Sequence, residues 1–85
     1  MKTLGIFLKV RSKEAVVFDG PVKSITSFND KGEFDVLPQH ANFISLIKRF
    51  LSFRDFNGTK REIRINNAIM RVEGQRVEVF VGIRK

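Results

Sequence analysis

Leu51–Ile65 reads LSFRDFNGTKREIRI. Asn57-Gly58 is a strong turn signal, because asparagine and glycine both accept positive φ. The flanking runs alternate apolar and polar residues with the period of a strand, so the segment reads as a hairpin. A two-residue loop sets Leu51 opposite Arg64, Phe53 opposite Glu62 and Arg54 opposite Arg61. Apolar residues then face charges and like charges meet, both unfavourable. Moving the register by one residue sets Leu51 opposite Ile65, Phe53 opposite Ile63, Arg54 opposite Glu62 and Asp55 opposite Arg61. The sequence therefore predicts a loop of odd length, three or five residues, with burial enforcing the choice.

Outward from this hairpin the chain keeps the same short period. Leu4–Val10 reads as a first strand, Glu14–Asp19 as a second, and Gly20-Pro21 as a bend before Val22–Phe28. Asn29-Asp30-Lys31-Gly32 is a turn, and Glu33–Leu37 is a strand stopped by Pro38, which donates no ladder hydrogen bond. Asn42–Ile47, Ala68–Val72 and Arg76–Ile83 complete a count of eight to ten short strands, with no convincing long helix. The expected fold is all-β, a sandwich or small barrel, with residues 1–85 forming one domain. Candidate core residues are Phe18, Ile25, Val36, Leu37, Ile44, Leu46, Leu51, Phe53, Ile63, Ile65, Ile69, Val77, Val79 and Val81.

The chain has 85 residues, of which 42% are hydrophobic, enough for one thin core. All nine aromatic side chains are phenylalanine, with no polar tip to keep wet, so most should be buried. With no cysteine there is no disulfide, thiolate metal site or cysteine nucleophile. No apolar run is long enough to span a bilayer, and the short N-terminal apolar patch ends at Lys9 and Arg11 without a signal-peptide pattern. Sixteen basic residues against nine acidic give a net charge of +7, which points to an anionic partner or to simple solubility.

The chemistry-bearing residues form no catalytic set. His40 is the chain's one histidine, with no nucleophile or orienting group at a fixed spacing, and reads as a loop residue. Glu33 and Asp35 share one strand face without the separation paired-carboxylate chemistry needs. The six glycines are isolated, so no phosphate-cradling loop is present and no cofactor is expected. Phe50, Phe53 and Phe56 among basic residues keep open an alternative, a small basic β-barrel binding RNA or single-stranded DNA.

Two segments carry a family resemblance. VVFDGPVKSI (16–25), followed by GEFDVLPQHANFISLIK (32–48), resembles the N-terminal domain of the epsilon subunit of F-type ATP synthases, called delta in mitochondria. Val17, Phe18, Gly20, Val22 and Ile25 match the first family element. Gly32, Glu33, Phe34, Val36, Leu37, Pro38, His40 and Ala41 match the second, and IRINNAIMRVEGQRVEVFV (63–81) is a weaker third match. The resemblance runs from about Leu4 to Val81 and implies a flattened antiparallel β-sandwich of about ten short strands in two sheets.

The resemblance also implies a non-catalytic rotor subunit that links the gamma subunit to the membrane c-ring and couples ion flow to ATP synthesis. It would be peripheral at the cytoplasmic face of a bacterial inner membrane, monomeric in isolation, without cofactor, metal or nucleic acid. Carried over residue by residue, Asp30, Lys31, Gly32 and Glu33 are the expected c-ring contacts. Ser12, His40, Ala41, Asn42, Phe43 and Ser45 are the expected gamma contacts. The sequence departs from the family at Asp35 and Gln39, where glycines are usual, and at Asn42, where proline is usual. Asn66-Asn67-Ala68 stands for a Ser-Gly-Gly corner, with an asparagine expected to take over a glycine conformation. The chain stops at Lys85, where most family members continue into a helical hairpin, so neither that hairpin nor its nucleotide site is expected.

Overall fold

A computed structural model of the chain describes residues 5–37 and 42–82. Seven strands account for nearly all of them: β1 (Ile6–Arg11), β2 (Val16–Val22), β3 (Ser24–Asn29), β4 (Gly32–Val36), β5 (Phe43–Arg54), β6 (Lys60–Glu73) and β7 (Arg76–Val81). They hydrogen-bond in the order β2-β1-β7-β6-β5-β3-β4. All neighbours are antiparallel except β1 and β7, which run parallel.

This order cannot be laid flat. Four strands separate β2 from β3 in the ladder, yet only Lys23 separates them in the chain. The sheet must double over, and it does: the Phe18 ring of β2 lies 4.5 Å, centroid to centroid, from Phe53 of β5. The result is a sandwich with extents of 46 × 26 × 19 Å. The short dimension is that of two facing sheets about 10 Å apart with their side chains.

The two long strands make the corner. The N-terminal half of β5 pairs with the C-terminal half of β6, and the remaining halves pair in the other layer. Between them the register shifts, so that Lys48 stands against both Asn66 and Asn67. Such a bulge bends a strand and lets it change layers. Arg49 absorbs the bend at φ 75°, and neither Asn66 nor Asn67 takes a positive φ. The corner strain thus sits across the ladder from the asparagines expected to carry it.

The corner also explains the strand count. Asn42–Ile47 and Leu51–Phe56, expected as two strands, are one continuous β5. Lys60–Ile65 and Ala68–Val72 are likewise one β6. The sheet is therefore seven-stranded and mixed, in place of about ten strands in two purely antiparallel sheets. Gly20-Pro21 does not break β2 either. That strand lies at the sheet edge, where a missing N–H costs no ladder bond.

The β5–β6 loop has the expected odd length, five residues from Asp55 to Thr59, but the register lies two residues from the expected one. Leu51 faces Ile63, Phe53 faces Arg61 and Arg54 faces Lys60. The faces are unchanged, since the side-chain period is two. Turn chemistry outweighs pairwise charge here. Asp55 Oδ1 accepts from the N–H groups of Asn57 (2.9 Å) and Thr59 (3.0 Å), and Gly58 N–H donates to the Asp55 carbonyl (3.1 Å). Asp55 is then unavailable to Arg61, whose guanidinium lies over Phe18 and Phe53 instead, at 5.3 and 5.6 Å.

One core fills the space between the layers. Ile25, Val36, Leu51, Phe53, Val77 and Val79 are buried in it as expected, and Phe18, Ile63, Ile65 and Val81 pack half-buried against it. Leu37, Ile44 and Leu46 are exposed, and Ile69 is only half-buried. Their places are taken by Ile47, Ala68, Met70 and Val72, together with Ile6, Leu8 and Val10 of β1 and Val22 of β2.

Candidate docking surfaces

The Asn29–Glu33 segment forms a tight, braced projection. Asn29 pairs with Gly32, so Asp30 and Lys31 make a two-residue loop. Gly32 has φ +117°, a conformation L side chains rarely adopt. Asn29 Oδ1 accepts from Lys31 N–H at 2.8 Å, an Asx turn that fixes the loop from inside. Two further bonds tie it to β5: Asn29 Nδ2 donates to Ser45 Oγ at 3.2 Å, and Lys48 Nζ meets Asp30 Oδ1 at 2.9 Å. The hydrogen bond from Lys48, reinforced by its charge, holds the Asp30 carboxyl below the usual aspartate range. The pair is solvent-exposed and adds little to stability, but it orients the loop. Glu33 follows on β4, exposed and opposite Phe28.

A second surface lies on the outer face of the other layer. Leu46, 72% exposed, faces Ile69 across the β5–β6 ladder, and Ile69 faces Phe80 of β7. Ile44, 69% exposed, stands two residues before Leu46 on the same face. Phe80 faces Arg11 across the parallel β1–β7 pair, and the guanidinium lies 5.8 Å from its ring. This is a contiguous apolar row on a sheet face turned to solvent, with a cationic end. Contiguous exposure of this kind marks an interaction surface, where single exposed apolar residues do not.

Alternation explains why the row points outward. Ala68, Met70 and Val72 are all apolar and all buried, so Ile69 must share the opposite face with Asn67 and Arg71. In β5, Phe43 opposes Val72 and Ile47 opposes Ala68, which turns Ile44 and Leu46 out. The uniformly apolar alternate set in NNAIMRVEG was a legible signal for this row.

The expected site residues separate between the two surfaces. Asp30, Lys31, Gly32 and Glu33 are together in the braced projection. Ser12 lies with the apolar row, sharing a shallow cavity with Arg11, Ile69 and Phe80. It shapes the β1–β2 loop: its N–H donates to the Ala15 carbonyl at 2.8 Å, and its Oγ accepts from the N–H groups of Glu14 and Ala15 at 3.2 Å. Ser45 is half-buried and joins the two surfaces, accepting from Asn29 and donating to the Leu46 carbonyl at 3.2 Å. Phe43 is half-buried against the core. Asn42 is exposed, with Oδ1 accepting from Gly74 N–H at 2.8 Å, which ties the start of β5 to the β6–β7 turn. His40 and Ala41, like Gln39, lie outside the described residues. Asp35, where a glycine is usual, is a regular strand residue whose carboxylate accepts from Thr26 Oγ1 at 2.7 Å. Among the described residues no group of three or more His, Asp or Glu is placed to hold a metal ion.

Comparison with known proteins finds likeness over the same span. Residues 6–83 match the family model described as ATP synthase, Delta/Epsilon chain, beta-sandwich domain. The chain is 40% identical over 60 residues, 69% of its length, to the ATP synthase epsilon chain of a Nitratiruptor species, of which it covers 46%. It is 33% identical over 74 residues, 86% of its length, to the ATP synthase epsilon chain of Wolinella succinogenes, of which it covers 56%. The chain thus spans about half the length of these curated relatives. Its fold matches a chain in the cryo-EM structure of the Euglena gracilis mitochondrial ATP synthase, OSCP/F1/c-ring, with a TM-score of 0.85 at 21% identity. That match covers 93% of this chain and 51% of the other.

Proposed function

The chain belongs to the family of ATP synthase delta and epsilon chains, through their β-sandwich domain, and on that premise we propose that it is a central-stalk element linking the gamma subunit to the c-ring. The observation that carries this reading is the pair of unlike surfaces joined through one strand. The apolar row of Ile44, Leu46, Ile69 and Phe80, beside Ser12, suits a large and durable contact, such as one with gamma. The projection Asp30–Glu33 is polar and exposed, suited to the polar loops of a membrane ring that moves with it. Exposed Asn42 extends the gamma contact at the start of β5, and the resemblance alone adds His40, Ala41 and the half-buried Phe43 to it.

The work is mechanical. Rotation couples ion flow to ATP synthesis only if the linking element is stiff. The bonds Asn29–Ser45 and Lys48–Asp30 brace the projection against β5, whose other face carries Ile44 and Leu46. Load entering at the ring side therefore reaches the gamma side through one strand and its ladder. In this reading the domain does no chemistry of its own, takes no cofactor, and sits peripherally at the cytoplasmic face of a bacterial inner membrane.

The test is binding of the full chain to its cognate gamma subunit by titration calorimetry. Reburying one exposed Ile or Leu is worth about 1.5–3 kcal/mol, so Ile44→Ser with Leu46→Ser should weaken binding about 100-fold or more. Glu33→Lys should leave gamma binding intact and weaken coupling in reassembled enzyme. A folded chain that ignores gamma at micromolar concentration would sink the proposal, and native affinity in the double variant would remove the apolar row from it.

A further inference from the structure

The sandwich corner carries a cationic groove whose two arginines take no part in the proposed docking surfaces. Lys48, Arg49, Arg64, Ile65 and Asn66 line an open concavity. Arg49 reaches it from a backbone at φ 75°, in the left-handed region that a side chain bearing Cβ occupies only at a cost. Its guanidinium is seated on the Phe28 ring, 4.3 Å from the centroid, and so is held in place before any partner arrives. Neither Arg49 nor Arg64 makes an ion pair among the described residues. Strain accepted to hold a charge in a concavity, without a carboxylate to receive it, is a feature to read for function.

Two guanidiniums lining one concavity match the charge of a phosphate group, which arginine can grip with paired N–H donors, while the Lys48 ammonium at the rim is already bonded to Asp30. The groove also has a definite place. Lys48 bonds Asp30, and Phe28, which carries Arg49, stands opposite Glu33. It therefore adjoins the projection that the proposed function turns toward the membrane ring. We propose that this groove is a docking site for the phosphate head groups of anionic phospholipids at the bilayer surface. The siting rests on the proposed function; the charge, the concavity and the seated guanidinium do not. Single-stranded nucleic acid fits this groove less well, because no phenylalanine lines it and the neighbouring Phe28 ring is covered by Arg49.

The experiment is co-sedimentation of the full chain with vesicles of phosphatidylcholine, with and without phosphatidylglycerol. Two chains of equal charge are compared. Arg49→Gly with Arg64→Gln empties the groove, and both are tolerable because the glycine accepts the backbone and Arg64 is exposed. Lys23→Gln with Lys60→Gln removes two exposed charges at the end of the β3–β5–β6 ladder away from the groove, where Lys23 N–H bonds the Arg54 carbonyl and Arg54 faces Lys60.

The groove variant should lower the partition coefficient on phosphatidylglycerol vesicles about 30-fold, at about 1 kcal/mol for each arginine near an anionic surface. The control should lose about threefold or less, since it lies beyond a Debye length of about 8 Å from the groove. Inorganic phosphate should displace the native chain more effectively than chloride at matched ionic strength. Equal losses in the two variants, indifference to phosphatidylglycerol, or tighter binding to a single-stranded oligonucleotide would overturn the proposal. The Ile44→Ser, Leu46→Ser chain should bind these vesicles as the native chain does. Loss of gamma docking without loss of vesicle binding, or the reverse, separates failure of one reading from failure of the other.

Discussion

Replacing Arg49 by alanine and by glycine should reverse the usual order of those two residues in a strand. In an ordinary strand interior glycine is about 0.5–1 kcal/mol less stable than alanine, because it gives up more backbone freedom on folding. At φ 75° the balance changes. The left-handed conformation costs a residue with Cβ about 1–2 kcal/mol and costs glycine nothing. Both substitutions lose the contact with Phe28, worth about 0.5–1 kcal/mol at an exposed site, so that loss cancels in the comparison. The difference leaves Arg49→Gly more stable than Arg49→Ala by about 0.5–1 kcal/mol. Against the native chain, the glycine variant is relieved of the strain but gives up more backbone freedom and loses the cation–π contact, and should be nearly neutral. Urea unfolding followed by circular dichroism reads this directly, as midpoints at a common slope. In heat, a difference of about 1 kcal/mol shifts the melting temperature of a domain this size by about 4–8 °C. If the alanine chain is as stable as the glycine chain, the corner does not hold Arg49 in the left-handed region and the reasoning fails.

Other consequences of the same architecture are open to measurement. Leu51→Ala, at a fully buried position, should cost about 2–5 kcal/mol, whereas Leu46→Ala, on the exposed row, should stay within about 0.5 kcal/mol by the same denaturation assay. Asp55→Ala removes the acceptor of two loop N–H groups and should cost about 1–2 kcal/mol, with Asp55→Asn recovering most of it. Asp30 titrates below the usual aspartate range because Lys48 favours its charged form. The linked stability is present above the unfolded-state pKa and is lost as pH falls through the lowered folded value. In Lys48→Met the Asp30 carboxyl should return to the ordinary range in a carbon-detected NMR titration, and an unmoved titration would mean the pair does not form in solution.

The sequence was legible wherever a local rule acted alone. Asn29 to Gly32 announced a tight turn, and the structure closes it with an Asx bond and a glycine at positive φ. The odd length of the β5–β6 loop followed from matching apolar residues across a ladder. The pairing register did not, because Asp55 serves the loop instead of Arg61 and a pairwise count of strand partners cannot see that competition. The braced projection was readable as far as Glu33. Its tie to Ser45 and Lys48 was not, since those bonds join segments 16 and 18 residues apart.

The all-β class and the turns were set by residue type and period, which act over a few neighbours. Where β5 and β6 change layers was decided only by tertiary structure, because a fourteen-residue strand and two short ones share the same local pattern. That decision put Phe43 and Ile47 inside and Ile44 and Leu46 outside, in a segment, FISLI, whose two faces are nearly equally apolar. Opposing partners chose between them: Val72 and Ala68 were already committed to the core, and burial of one face obliges the other to meet water or a partner.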